Sequence, residues 1–202
     1  MKTRFLFLVF CIFFLAASCE KSRKTSDLTD EELVKLAITN GDKISQVAQM
    51  VLASRLKEVV QEEGIAEALK YCNVNAYPIV DSLEDAYNTK VKRASFKTRN
   101  PGDTPNKMEG SIIADYLQQI GNGITPEAKT ILDEENVHYF KPIIISAELC
   151  LKCHGQIGSD ILEENYEIIK ELYPDDNATG HKLGDLRGIW SLSFKKEVLY
   201  KN

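Results

Sequence analysis

Cys150-Leu151-Lys152-Cys153-His154 constrains this chain more than any other stretch. A C-x-x-C-H run is the attachment sequence of a c-type haem: two thiols add across the porphyrin vinyl groups, and the next residue offers an imidazole to the iron. A domain carrying such a group must fold around a rigid macrocycle. Its side chains then decide whether the iron carries electrons or binds gases. Five residues with three fixed are not unique to haem, since C-x-x-C also occurs in zinc sites and thiol oxidoreductases.

The N-terminus bears on that choice. Lys2 and Arg4 precede an unbroken apolar run of 13 residues, Phe5 to Ala17. That is the length of a signal-peptide core and too short to span a bilayer. Ala16-Ala17-Ser18 then leads into Cys19 and resembles a bacterial lipoprotein processing site, with Ala16 where Leu is usual. The expected division is a signal peptide over 1–18, a lipidated Cys19 with a polar tether over 19–28, and one domain over 29–202. Ordinary cleavage near Ala17, giving a soluble exported protein, is the alternative. The expected location is the periplasm or cell exterior, with membrane contact through the lipid. Covalent haem is installed outside the cytoplasm, where reducing-cytosol and zinc readings of paired cysteines weaken.

Of 202 residues, loss of the first 18 leaves 184, enough for one domain with a proper core. The formal charge of -5 becomes -7 once Lys2 and Arg4 are removed, and no Lys/Arg cluster points to nucleic acid. Among five cysteines, Cys11 goes with the signal, Cys19 with lipid, and Cys150 and Cys153 with haem. Cys72 is left over in an oxidising compartment and calls for an explanation.

Thr29-Asp30-Glu31-Glu32 reads as a helix start with acids in the first turn. From Leu33 to Val59 apolar residues recur at steps of three and four, an amphipathic helix that Asn40-Gly41-Asp42 either kinks or divides. Gly64 closes it, and Ile65 to Cys72 reads as a short helix. Strands are expected at 90–96, 138–146 and 187–194, and helices at 111–120, 126–134 and 159–172, the last closed by Pro174. The fold class is therefore α+β, with long helices at the front and an antiparallel sheet behind.

Several separated segments together resemble a known family. They are Arg93-Ala94-Ser95-Phe96-Lys97-Thr98-Arg99-Asn100-Pro101, then Cys150 to Gly155, then Tyr173-Pro174 with Ala178-Thr179-Gly180. Gly184-Asp185-Leu186-Arg187-Gly188 completes the set. In this order they resemble a family of exported single-haem c-type proteins with a PAS-like fold, long a domain of unknown function. The same domain also forms the extracytoplasmic part of bacterial signalling proteins. The resemblance covers about 30–196. It implies one covalent haem c, His154 as proximal ligand, and a distal cysteine upstream in a helix, followed by a small residue before a proline. Tyr71-Cys72-Asn73-Val74-Asn75-Ala76-Tyr77-Pro78 fits that pattern, so Cys72 carries over as distal ligand. A buried, inert thiol or an intermolecular disulfide is the other account of it.

Rival ligands have weaker contexts. His138 lies in an expected strand and reads as an ordinary packed or exposed histidine. His181 lies in a polar loop and reads as surface. Met50 reads as core and Met108 as the more accessible methionine. Arg93, Lys97 and Arg99 are candidates for the haem propionates, because carboxylates on a buried macrocycle call for guanidinium partners. The same residues also suit a solvated strand face. Trp190 and Phe194 read as core.

The expected function is a redox or gas-responsive haem protein with a low reduction potential, because a thiolate ligand stabilises ferric iron. Release of Cys72 on reduction would open a position for CO, NO or O2. The competing expectation is a periplasmic electron-transfer cytochrome. An enzyme is not expected, since no distal acid or base stands beside Cys72. No kinase, cyclase or membrane-spanning output segment is visible, so a sensor of this kind requires a redox or signalling partner protein.

Overall fold

A computed structural model of the chain describes residues 28–199. The expected signal peptide, the lipidated Cys19 and all but the last residue of the tether lie outside the described residues.

Helix α1 runs unbroken from Asp30 to Glu63. Its start is a capping box: Thr29 accepts from the Glu32 amide, and the Glu32 carboxylate accepts from the Thr29 amide. Asn40-Gly41-Asp42 does not divide α1 into two helices. Gly41 serves close approach instead, because a Cβ there would lie 2.4 Å from the Tyr139 ring. Gly64, at φ 90°, ends α1 and starts α2, Ile65–Tyr87. The short helix expected over 65–72 thus continues for fifteen more residues and passes through Pro78. Proline removes one helical hydrogen bond. Here the loss falls in an exposed stretch, where Val74 is 67% accessible.

Four strands make one antiparallel sheet in the order β1-β4-β3-β2. They are β1 Lys90–Ala94, β2 Lys129–Leu132, β3 Asn136–Ile144 and β4 Leu186–Lys195. Strand β2 corrects the helix expected over 126–134. Glu127 and Ala128 are good helix formers, but Thr130 and Ile131 are β-branched, and a tight turn folds the segment onto β3. In that turn the Asp133 carboxylate accepts from the Glu135 and Asn136 amides.

The sheet is covered on both faces. Leu33, Ala37, Ile44 and Ala48 of α1 pack on Val137 and Tyr139 of β3 and on Trp190, Leu192 and Phe194 of β4. Helix α3, Lys107–Gly121, packs Ile112, Ile113 and Tyr116 on Ala94, Phe140 and Ile189. Each such large side chain contributes about 1.5–3 kcal/mol when fully buried. A third cluster joins Leu69 of α2 to Ile169 and Tyr173 at helix α5, Glu163–Leu172, with Cys153 against it. Trp190 and Phe194 are core, as expected. Met50 is not: it is 61% exposed on the C-terminal half of α1, whereas Met108 is half-buried against the α3 cluster. The apolar pattern of α1 continues past its middle, but its buried residues end at Ala48. Among the described residues no helix is long and apolar enough to cross a membrane.

Gly41→Ala is expected to lower stability by about 1–3 kcal/mol despite the better helix propensity of alanine. The Tyr139 ring it meets is fully buried and its hydroxyl donates to Asp42 at 2.7 Å. Urea denaturation with an unchanged or raised midpoint would contradict that packing.

Candidate functional site

Cys150, Cys153 and His154 occupy a short helix, α4, Glu148–His154. Three residues apart on a helix, the two cysteines share one face, and the histidine follows at its C-terminal end. Gly155 lets the chain leave this helix: a Cβ there would lie 2.5 Å from Asp160 and 2.7 Å from the Leu151 carbonyl.

The loop after α5 returns to α4 and fixes the imidazole. His181 N–H donates to the His154 carbonyl at 2.9 Å, and Gly180 N–H to the Gly155 carbonyl at 2.8 Å. The His154 side chain bonds the Ala178 carbonyl through Nδ1 at 2.8 Å. Against a carbonyl, Nδ1 must carry the proton, which leaves the Nε2 lone pair free for a ligand. Burial first, and then Arg187 and Arg99, hold the imidazole well below its ordinary pKa, so it stays neutral.

Arg99 ties this loop to α4. Its Nε donates to Asp176 at 2.9 Å and its Nη2 to the Cys153 carbonyl at 2.7 Å, while the guanidinium lies 5.6 Å from the Tyr173 ring centroid. Asp176 in turn accepts from the Ala178 amide at 3.1 Å. Arg93, on β1, sits 4.0 Å from Asp103, whose other oxygen accepts from the Tyr77 hydroxyl at 2.9 Å.

Cys72 lies inside α2, which packs against α4 and α5. Burial pushes its thiol pKa up, and the charges of Arg93 and Arg99 pull it back down. Cys153 is pushed up to about 11, by burial first; Arg99 opposes this, while Cys72 and Cys150 add to it. The three cysteines are unpaired, and Cys72, Cys153 and His154 form one neighbourhood bordered by arginines. No group of three or more His, Cys, Asp or Glu among the described residues is arranged to hold a metal ion unaided.

The rival histidines separate. His138 is an ordinary strand residue, bonded to Ser193 and Asp133 at 2.8 Å each. His181 corrects the surface reading: it is 4% exposed, its ring stands edge-on to that of His154 at 6.4 Å, and its Nε2 has no partner among the described residues. Its polar sequence neighbours lie outward while its own side chain turns inward. Arg187 was also missed as a site residue. It falls in one of the family-like segments, but nothing in its spacing assigns it a role. It lies close to His154, and its Nε is a buried donor without a partner among the described residues.

These features suit a prosthetic group that brings its own metal and anionic substituents. A free imidazole lone pair, a nearby thiol, two alkylatable cysteines and cationic side chains are the complementary set.

A family model described as Tll0287-like matches residues 27–194. Among solved structures, the crystal structure of the cyanobacterial heme-protein Tll0287 is similar at a TM-score of 0.56 and 27% identity. That likeness covers 83% of this chain and 97% of the other. No curated protein matches.

His181, held down to about 4 by burial and by Arg187 and Lys97, and His154 are both neutral in the fold. The unfolded chain binds protons at these rings from about pH 6.5 downward and the folded chain does not, so stability falls as pH drops from about 6.5 toward 4. Chemical denaturation should give a lower midpoint at pH 4.5 than at pH 7, with a smaller difference in His181→Asn. An identical pH dependence in that variant would assign the effect to other groups.

Proposed function

The chain belongs to the Tll0287-like family, and from that membership we propose that it is an exported haem protein responsive to redox state or to a small gas. In this reading Cys150 and Cys153 carry one haem c through thioether bonds, His154 is the proximal ligand and Cys72 the distal one. The observation that carries it is the His154 imidazole at the end of a C-x-x-C helix. Its Nδ1 is committed to the Ala178 carbonyl, so Nε2 alone is left to ligate. The four-stranded antiparallel sheet, flanked by long N-terminal helices, supports the PAS-like reading of the fold.

When bound, haem supplies one-electron chemistry and, where a position on iron opens, gas binding. The protein's share is orientation and electrostatics. Ala178 and the Arg99–Asp176 pair fix the plane of His154. Tyr173 and the third core cluster cover Cys153. Arg93 and Arg99 favour the thiolate of Cys72, and burial opposes them. Burial is the larger effect, so the free side chain favours the thiol, and Cys72 would hold the haem iron as the thiolate that the two arginines help to stabilise. A lipid on Cys19 would tether the domain to a membrane, where a redox or signalling protein is the partner.

Protein produced with a c-haem maturation system should show a denatured mass increased by one haem and a low-spin ferric absorption spectrum. Cys72→Ala should turn the ferric spectrum high-spin while the covalent mass is retained. An unchanged ferric spectrum in Cys72→Ala removes Cys72 from the iron. Six-coordinate iron in both oxidation states with no CO binding favours the electron-transfer cytochrome instead. Absence of covalent haem overturns the reading.

A further inference from the structure

Three arginines meet at the site, and their charges are not equally answered. Arg99 is 11% exposed and has Asp176, 4% exposed, as an ion-pair partner at 2.9 Å. Its remaining polar contact goes to the Cys153 carbonyl, so this guanidinium is occupied in holding the fold together. Arg93 is 31% exposed and has Asp103, which Tyr77 also holds. Arg187 has no carboxylate ion pair among the described residues. Its one hydrogen bond is from Nη1 to the Lys97 carbonyl at 3.0 Å, and its Nε is buried with no acceptor.

Burying a guanidinium without a counter-charge is costly, and so is burying an N–H without an acceptor. Arg187 incurs the second cost at Nε, although the residue as a whole is half-buried and its Nη1 bond lies at an exposed position. The strain shows in its acidity, lowered to about 10 by burial first and then by Arg99 and Arg93. Asp103 and Asp176 give partial relief at longer range, but each is already engaged by another arginine. His154 and His181 are neutral, and Lys97 adds a further positive charge. The backbone carbonyl of Arg187 is meanwhile pinned by the Ser95 hydroxyl at 2.7 Å, so the residue is placed by the sheet and not free to swing away at its Cα.

We propose that Arg187 is the primary carboxylate anchor of the site, donating from Nε and the guanidinium edge to a propionate of the bound haem. Arg99 is already paired with Asp176 and organises protein, and Arg93 is half-exposed with Asp103 4.0 Å away. This assignment rests on the haem reading above. It differs from what the sequence suggests, because Arg93 and Arg99 share a motif while Arg187 lies about ninety residues further on. A planar guanidinium suits a carboxylate bidentately, and a lysine at this place would not reproduce that geometry.

The test compares Arg187→Gln, Arg187→Lys and Arg99→Gln. In haem-loaded Arg187→Gln the loss of a positive charge beside the iron should favour ferric over ferrous by roughly tenfold, a potential lower by about 59 mV. The propionate bending band in resonance Raman spectra should shift in the same variant. Arg187→Lys should recover most of the potential but not the Raman band. Haem-free Arg187→Gln should unfold at the wild-type denaturant concentration or above it, since it removes a buried N–H that has no acceptor, while haem-free Arg99→Gln should unfold earlier. An unaltered potential and Raman band in Arg187→Gln would overturn the anchor, as would early unfolding of its haem-free form. If Arg187→Gln does not mature, Arg187→Lys with an unaltered propionate band overturns it equally. Wild-type protein without covalent haem mass instead refutes the haem reading itself, and the anchor with it.

Discussion

The site depends on the ion pair between Arg99 and Asp176, residues 77 apart in sequence. Arg99 leaves the sheet just after β1, Asp176 follows α5, and the same guanidinium holds the carbonyl at the end of the α4 cysteine pair. Three distant segments are thus fixed by one side chain. A buried ion pair is stabilising only when further hydrogen bonds compensate its desolvation. Here they do, because Asp176 also accepts from the Ala178 amide. That bond places the Ala178 carbonyl against Nδ1 of His154, so the tautomer of the candidate ligand is decided by a salt bridge that never touches it.

The sheet provides the platform for this arrangement. β4 is a central strand, paired with β1 and β3, and is almost wholly buried. Its alternate residues pack on α1 and α3, which leaves its N-terminal end, at Arg187, beside the α4 loop. α2 then crosses from the α1 hairpin to the third cluster and brings Cys72 to the same region. Asn73 donating to the Leu172 carbonyl at 3.3 Å ties that helix to α5. The site is therefore built where two packing systems meet, a rigid sheet on one side and a helical hairpin on the other.

Local patterns were legible where local physics decides. The acid-rich start of α1, the three longest strands and α3 follow from capping residues, β-branched runs and 3.6-residue periodicity. Segment 126–134 read as helix because its composition favours helix, yet pairing with β3 outweighs that weak preference. α2 was read only to Cys72, yet it continues through Pro78 to Tyr87. His181 and Met50 were misplaced for a common reason: exposure is set by what another element covers, and neighbours in sequence do not report that.

The sequence by itself determined the chemistry available at one point, the cysteine pair and histidine of residues 150–154, because five adjacent residues fix their own spacing. It also marked Cys72 as unexplained. Only the tertiary structure decided that Cys72 and Cys153 share a neighbourhood, that His154 presents Nε2, that His181 is buried beside it, and that Arg187 buries an Nε with no partner among the described residues. Each of those depends on groups separated by tens of residues. Their distances follow from how the sheet, the α1–α2 hairpin and the α5 loop pack together, and no local spacing encodes them.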